Sequence, residues 1–570
     1  MNSPKDNPAD VVRALTDAGQ ALVDAFLRDL PSQGLDYAEL VSALTGSAAQ
    51  REKLADLQSR FYRDWLALWN DVDATNAPGT QSVDRRFESP EWREIPWFRL
   101  LHRGYALHAA YLHDIAELAT LEPEKRKRLR FVTRQIIDAL APNNYAPTNP
   151  DVIKAAIETR GESLAHGLQH LSRDLARGRI SMTDESAFEI GRNLALTPGD
   201  VIFENEVMQL IQYAPATDQV YERPLLIVPP FINKYYILDL QPQNSFVRYC
   251  VEQGFTTFIV SWRNIPEELG ALGWEDYMEK GVFAPLDAIS RITGSRTVNT
   301  LGFCVGGTLL ATALAVLATK RRKRAHSLSL LATMLDFSDT GDISVYVDEA
   351  YVERCEAEYQ AGGLMPGSRL AATFATLRAN DLVWNFVVNN YLMGREPKPF
   401  DLLYWNSDGS NLPGPLYAFY LRNMYLENNL RVPGRLRLCG ADVDLGKLQL
   451  PAYVFAARED HIVPWESAYH TARLLGPRTE FVLGASGHVA GVVNPASLNR
   501  REFWTGGSLV RDPRQWQAMT QRQPGSWWRH WSAWLAARSG KTRPAPRATG
   551  SRQYQPTEPA PGRYVKERRG

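Results

Sequence analysis

Cys304, Asp460 and His488 are the side-chain types from which an activated nucleophile is built: a thiol to attack, an imidazole to take its proton, and a carboxylate to orient the imidazole. Cys304 stands in Gly302-Phe303-Cys304-Val305-Gly306, after a run that reads as a strand, Val298 to Phe303, and before one that reads as a buried helix, Thr308 to Thr319. A strand that turns this sharply into a helix projects the residue at the turn, and glycines two positions away leave room for it. The helix start also favours negative charge there. Alone, Gly-x-Cys-x-Gly is weaker than the bland reading, a buried cysteine on a glycine-rich turn.

The partners reverse that balance. Tyr453 to Ala456 reads as a strand running into Arg458-Glu459-Asp460-His461, and Phe481 to Leu483 as another running into Gly484-Ala485-Ser486-Gly487-His488. Nucleophile, acid and histidine then follow strand ends in the order of an α/β-hydrolase. Glu459 competes with Asp460 as the acid and His461 with His488 as the base, but His461 follows the acid strand rather than the last one. His102, His108, His113, His166 and His470 lie in helical sequence and read as structural.

Acyl transfer also needs N–H donors for the developing oxyanion, one from the residue after the nucleophile, here Val305, and one from the turn after an early strand. That turn is Val228-Pro229-Pro230-Phe231-Ile232-Asn233-Lys234. Proline has no N–H, so the second donor lies at Phe231 or beyond, and Ile232 is the choice. The bland alternative is a proline pair that merely ends a strand. HExxH, cysteine and histidine at ligand spacing, and Walker or dinucleotide glycine loops are all absent, so neither a metal nor a cofactor is expected.

The elements that must hold these residues follow from pattern. Up to about residue 200 the apolar residues keep helical spacing, as in Leu54, Leu57, Phe61, Trp65 and Leu68, which predicts an all-helical domain over 1–200. From 201 to 540, short apolar runs at Leu225 to Val228, Thr257 to Val260, Val298 to Phe303, Leu328 to Leu331, Tyr453 to Ala456 and Phe481 to Leu483 alternate with amphipathic segments. This predicts an α/β fold, a mostly parallel sheet covered on both faces with its site at the strands' carboxyl ends. The alternation fails over about 336–430, where aromatic residues such as Trp384, Tyr404 and the Tyr417 to Tyr425 cluster suggest a cap inserted over the site.

Lys541 to Gly570 holds five prolines and eight cations against two acids, and reads as an extended basic tail. Trp527, Trp528, Trp531 and Trp534 have helical spacing, more often a packed face than a ligand site, though such a face could meet a hydrophobic surface. Lys plus Arg number 64 and Asp plus Glu 64, so no global field draws the chain to nucleic acid or an anionic membrane. Thr297 to Thr319 is 23 residues without a charge, but its three glycines fit a strand and a helix better than a transmembrane span. Four scattered cysteines and no evident signal peptide suggest a reducing cytoplasm.

At these residues the chain resembles the class I polyhydroxyalkanoate synthases, the poly(3-hydroxybutyrate) polymerase type. The resemblance runs over most of the sequence: Phe188 to Ala195, Pro229-Pro230 with Ile232 to Tyr236, Ser261-Trp262-Arg263-Asn264, Gly302 to Gly307, Phe400 to Leu403 with Trp405-Asn406, Arg458 to His461, and Gly484 to His488. It implies Cys304 as nucleophile, His488 as base and Asp460 as its partner, acting on (R)-3-hydroxyacyl-coenzyme A, with coenzyme A a part of the substrate and a product rather than a cofactor. It further implies a growing polyester chain, a short-chain acyl range, a homodimer, and residence on cytoplasmic polyester granules. A Cys-dependent thioesterase or esterase of the same fold is the rival. Two positions depart from the family pattern: Ile265 intervenes before Pro266, and Phe231 fills a place more often smaller.

Overall fold

The computed structural model describes residues 37–70 and 84–568. Residues 1–36, 71–83 and 569–570, parts of the expected helical domain and tail, lie outside the described residues. The chain forms two compact units, one running to Asp184 with Phe374–Lys398 added, the other made of Glu185–Thr373 and Pro399–Gly570.

The first unit is helical. Its long helices Ala48–Asn70, Pro96–Leu118, Pro123–Ala139 and Glu162–Arg177 carry the spacing seen in the sequence. Phe374–Lys398 is tied in by polar side chains: Asn380 Nδ2 donates to Asp138 Oδ1 at 2.6 Å and the Tyr391 hydroxyl to Asp174 Oδ2 at 2.7 Å.

The second unit is built on an eleven-stranded sheet. In chain order its strands are β1 (Gly199–Glu204), β2 (Met208–Tyr213), β3 (Leu225–Val228), β4 (Thr257–Trp262), β5 (Val298–Phe303), β6 (Ala325–Leu331), β7 (Ala452–Ala457), β8 (Thr479–Gly484), β9 (Glu502–Thr505), β10 (Gln521–Pro524) and β11 (Glu558–Pro559). They lie in the order β10-β9-β8-β7-β6-β5-β3-β4-β2-β1-β11. Neighbours from β4 through β8 pair in parallel, and those beyond pair antiparallel. Every residue of β3, β4, β5 and β7 is buried, which is why these strands read as continuous apolar runs rather than alternating ones.

Alternate side chains of β3 feed two separate cores: Leu226 and Val228 join one, Leu225 and Ile227 the other. The helix Val305–Thr319 fills the first core with Leu309, Leu310, Ala313 and Val316. The helix Trp527–Ala536 fills the second. The uncharged stretch at 297–319 is therefore β5 followed by a 15-residue helix, and no helix among the described residues is long and apolar enough to cross a membrane.

Two expectations are corrected. The segment over 541–570 is not an extended tail: Thr542–Pro544 pairs with Gln219–Tyr221, β11 closes the sheet beside β1, and Tyr564 and Val565 are buried. Proline-rich sequence can do this because an edge pairing of two or three residues asks little of the N–H groups that proline lacks. The insertion expected over 336–430 is divided, with 374–398 belonging to the helical unit, and that unit gives way at 184, short of the expected 200. The tryptophan face is the packed one its spacing favours: Trp527, Trp528, Trp531 and Trp534 are all buried.

Trp531 is fully enclosed, with its Nε1–H donating to Ser329 Oγ at 3.0 Å and its ring 4.9 Å from that of Phe246. Trp531→Ala leaves a cavity and an unpaired serine against β6, and is expected to cost about 3–5 kcal/mol, measured by denaturant unfolding.

Candidate active site

The turn after β5 is a meeting of backbones. A β-carbon added to Gly302 would lie 2.3 Å from Gly307 Cα, and one added to Gly306 would lie 2.3 Å from Pro229 O, on the loop after β3. Only glycine permits either approach. Cys304 between them takes φ 53° and ψ −132°, a strained conformation for a non-glycine residue. Hydrogen bonds hold it there: its N–H donates to Leu331 O at 2.9 Å, and its carbonyl accepts from Gly307 N at 2.9 Å and Thr333 Oγ1 at 3.2 Å.

Asp460 comes three residues after β7 and His488 four after β8, on adjacent strands. His488 Nδ1–H donates to Asp460 Oδ2 at 2.7 Å, while the other carboxylate oxygen accepts from the backbone of Ile462 at 2.9 Å and Val463 at 2.8 Å. This leaves Nε2 as the ring nitrogen for the thiol, and Cys304 lies close enough to His488 to act on its charge. Phe303 lies nearly parallel to the imidazole at 5.5 Å. Glu459, the rival acid, has a side chain 63% exposed and faces Arg458, whereas that of Asp460 is wholly enclosed.

Burial, the largest influence on His488, disfavours its charge, but the Asp460 and Cys304 charges and their hydrogen bonds outweigh it and raise its pKa to about 10. The imidazolium is thus the form this pocket stabilises.

The expected oxyanion residues belong to the two segments that meet at this turn. Val305 begins the helix, where a backbone N–H has no acceptor within the helix. Ile232 lies on the loop after β3, the loop Gly306 touches, with its carbonyl accepting from Ser410 N at 3.1 Å. The Phe231 ring turns into the core, edge-on to Trp262, Trp274 and Tyr277 at 5.2–6.1 Å. Ile265 is fully buried, and Asn264 just before it accepts from Asn411 N at 3.0 Å.

Sequence reasoning reached the aromatic cluster at 417–425 but not its members' places. Tyr420 and Tyr425 lie close enough to Cys304 for its charge to act on them; burial first, then Tyr425 and the Cys304 charge for Tyr420, and the Cys304 and Asp460 charges for Tyr425, hold both phenols above their ordinary range. Both therefore stay neutral hydroxyls. Tyr420 stacks on Trp274 at 5.5 Å, and Phe337 meets Tyr425 at 5.2 Å. A wide π-helical stretch, Leu421–Leu426, carries Tyr425, and Arg422 within it is clamped by Glu356 at 2.6 Å and by Glu349. Such stretches recur at functional sites. The signal available beforehand was aromatic density; Trp274 and Phe337 lie outside the run and gave none.

The sheet order and the site define a member of the α/β-hydrolase class, and residues 223–495 match the family described as alpha/beta hydrolase fold. Residues 83–250 match the family described as poly-beta-hydroxybutyrate polymerase (PhaC) N-terminus. The poly(3-hydroxyalkanoate) polymerase subunit PhaC of Cupriavidus necator is 49% identical over 92% of this chain and 90% of its own. That of Rhizobium meliloti is 41% identical over 100% and 96%, and poly(3-hydroxyalkanoate) polymerase 1 of Ectopseudomonas oleovorans 38% over 88% and 90%. The chain belongs to the poly(3-hydroxyalkanoate) polymerase family and is an acyltransferase.

Because the His488 pKa rises on folding, the stability it contributes is fully present below about pH 6.5 and is lost as pH climbs through about 10. Asp460→Asn removes the strongest of the raising influences. The stability gap between parent and Asp460→Asn is expected to be wide at pH 7 and to narrow by pH 10, read by denaturant unfolding at both.

Proposed function

We propose that the chain polymerises (R)-3-hydroxyacyl-coenzyme A into polyhydroxyalkanoate with release of coenzyme A, through a thioester on Cys304. The observation that carries this reading is the enclosed His488–Asp460 pair acted on by Cys304, in a member of this family.

His488 takes the Cys304 proton, and the sulfur attacks the thioester carbonyl of the substrate. The oxyanion that forms is met by the N–H groups of Val305 and Ile232. Collapse breaks the bond to coenzyme A, whose sulfur leaves with the proton from His488. Exchange of one thioester for another keeps the acyl group reactive enough to be passed on. The 3-hydroxyl of an incoming acyl-coenzyme A then gives its proton to His488 and attacks the Cys304 thioester. An ester bond forms, the carbon–sulfur bond breaks, and the freed thiol recovers the proton. The lengthened chain returns to Cys304 by the next exchange. Asp460, bonded to Nδ1, orients the ring throughout and stabilises the imidazolium. Water must be excluded for polymer to form, and Trp274, Phe337, Tyr420 and Tyr425 supply the apolar wall.

The same reading gives short acyl units, a homodimer, and a cytoplasmic enzyme on the surface of its polyester granule. Tyr62, Leu66 and Trp69, 52–64% exposed along one side of a helix in the helical unit, are compatible with an apolar partner there.

Purified protein given (R)-3-hydroxybutyryl-coenzyme A is expected to release thiol and deposit insoluble polyester, and Cys304→Ala to do neither. Thiol release with only free hydroxy acid would establish the thioesterase instead. Initial rates on four-carbon and eight-carbon substrates are expected to favour the four-carbon unit by at least about tenfold, as differences of this many methylenes in an apolar pocket allow.

A further inference from the structure

Lys234 lies two residues after Ile232 and is only 1% exposed. A buried ammonium costs several kcal/mol unless it is paired and hydrogen-bonded. Its Nζ donates to the carbonyl oxygens of Glu567 at 2.8 Å and Tyr564 at 3.4 Å, some 330 residues further along the chain. Its charge also acts on the buried carboxyl of Asp408, which accepts from the Tyr236 hydroxyl at 3.0 Å and lies 3.8 Å from Arg568. The relay of Cys304, His488 and Asp460 uses none of these groups.

The segment that receives Lys234 is firmly seated. It begins at β11 on the sheet edge, then Gln209 Oε1 accepts from the backbones of Arg563 and Tyr564 at 3.1 Å, and the Tyr564 hydroxyl donates to Asn205 O at 3.0 Å. Arg263, on the loop after β4, stacks over the Tyr564 ring at 5.0 Å and pairs with Glu567 at 3.5 Å. The loop after β3 is held from its other side by backbone groups: Lys234 O accepts from Trp405 Nε1 at 2.7 Å, and Asn233 bridges to Gly409. Lys234 is the cationic side chain through which the late segment reaches this loop.

We infer that Lys234 is a positioning residue: through it, the strap formed by Glu558–Arg568 sets where the Ile232 N–H stands relative to Cys304. The inference rests on the proposed role of Ile232 as an oxyanion donor. A donor displaced by about 1 Å loses much of its value in the transition state while hardly affecting substrate binding.

The test uses the full chain, (R)-3-hydroxybutyryl-coenzyme A and thiol release. Lys234→Met keeps the apolar stem and drops the cation; it is expected to lower kcat about ten- to a hundredfold with KM within about twofold of the parent. If that variant does not stay folded at the assay temperature, Lys234→Gln replaces it and is read by the same split. A kcat within about twofold of the parent, or a loss confined to KM, overturns the inference. A chain ending at Gly562 removes both acceptor carbonyls while keeping β11, and its loss should not multiply with that of Lys234→Met when the two are combined. Multiplying losses mean the strap acts by another route and also overturn it. Ile232→Pro deletes the donor N–H and is expected to cost about 10²–10³ in kcat. Full activity in Ile232→Pro would overturn the donor assignment itself, whatever Lys234 does; a slow Ile232→Pro beside a fast Lys234→Met would overturn the strap alone.

Discussion

At the turn between β5 and its helix, three stretches of backbone come within van der Waals contact of one another, and nothing larger than hydrogen at Gly302 and Gly306 would let them. That contact sets the conformation of Cys304 and brings the start of the helix, which begins at Val305, beside the loop after β3, which carries Ile232. The parallel strands do the rest. Because β7 and β8 are hydrogen-bonded neighbours in register, Ala457 opposite Gly484, the loops leaving them deliver Asp460 and His488 to the same height above the sheet. The charge balance of the site is a consequence of this enclosure. A buried imidazole would ordinarily shed its proton, and here the carboxylate and the sulfur reverse that preference.

The candidate site residues are legible in the sequence because each follows a strand of the parallel sheet. A parallel sheet buried on both faces writes its strands as unbroken apolar runs, and the residues that follow such runs lie at the strands' carboxyl ends, where such a sheet carries its site. Cys304, Asp460 and His488 follow such runs by one, three and four residues, in the order nucleophile, acid, histidine. The division of the insertion between two units is not legible, because residues 374–398 are anchored by Asn380 and Tyr391, and neither their type nor their spacing names a partner more than 200 positions away. The late segment is hidden for a different reason. Lys234 is satisfied by main-chain carbonyls, which every residue possesses, so no side-chain pattern at 564–567 marks the site. The series at Trp527 to Trp534 shows the limit of periodicity: it gives a helix face correctly but not whether that face meets the sheet or the solvent.

The two cores divide the labour. On one face, the helix that starts at Cys304 is nearly all small and aliphatic, so it can lie close against the sheet and hold the nucleophile's backbone in place. On the other, the tryptophan helix fills a wide gap with large rings, and two of its indole N–H groups bond to the carbonyls of Gly491 and Val492, in the short helix that begins at His488. The histidine's backbone is therefore braced by the largest side chains in the molecule. Trp274, Phe337, Tyr420 and Tyr425 form a third aromatic group whose members come from three separate parts of the chain.

The pairing of Asp200 in β1 with Pro559 in β11 spans almost the whole second unit. On a ribosome adding about 5–20 residues per second, β1 emerges some tens of seconds before the strand that closes it. Throughout that interval the outer edge of β1 is open, and an open edge is where a partly made chain pairs with the wrong neighbour. The bulge between Val201 and Phe203 twists β1 and shortens the stretch that is straight enough to be mispaired. Synthesis and assembly are ordered in time by this one contact, since the sheet acquires its last strand only after almost every other part of the molecule has been made.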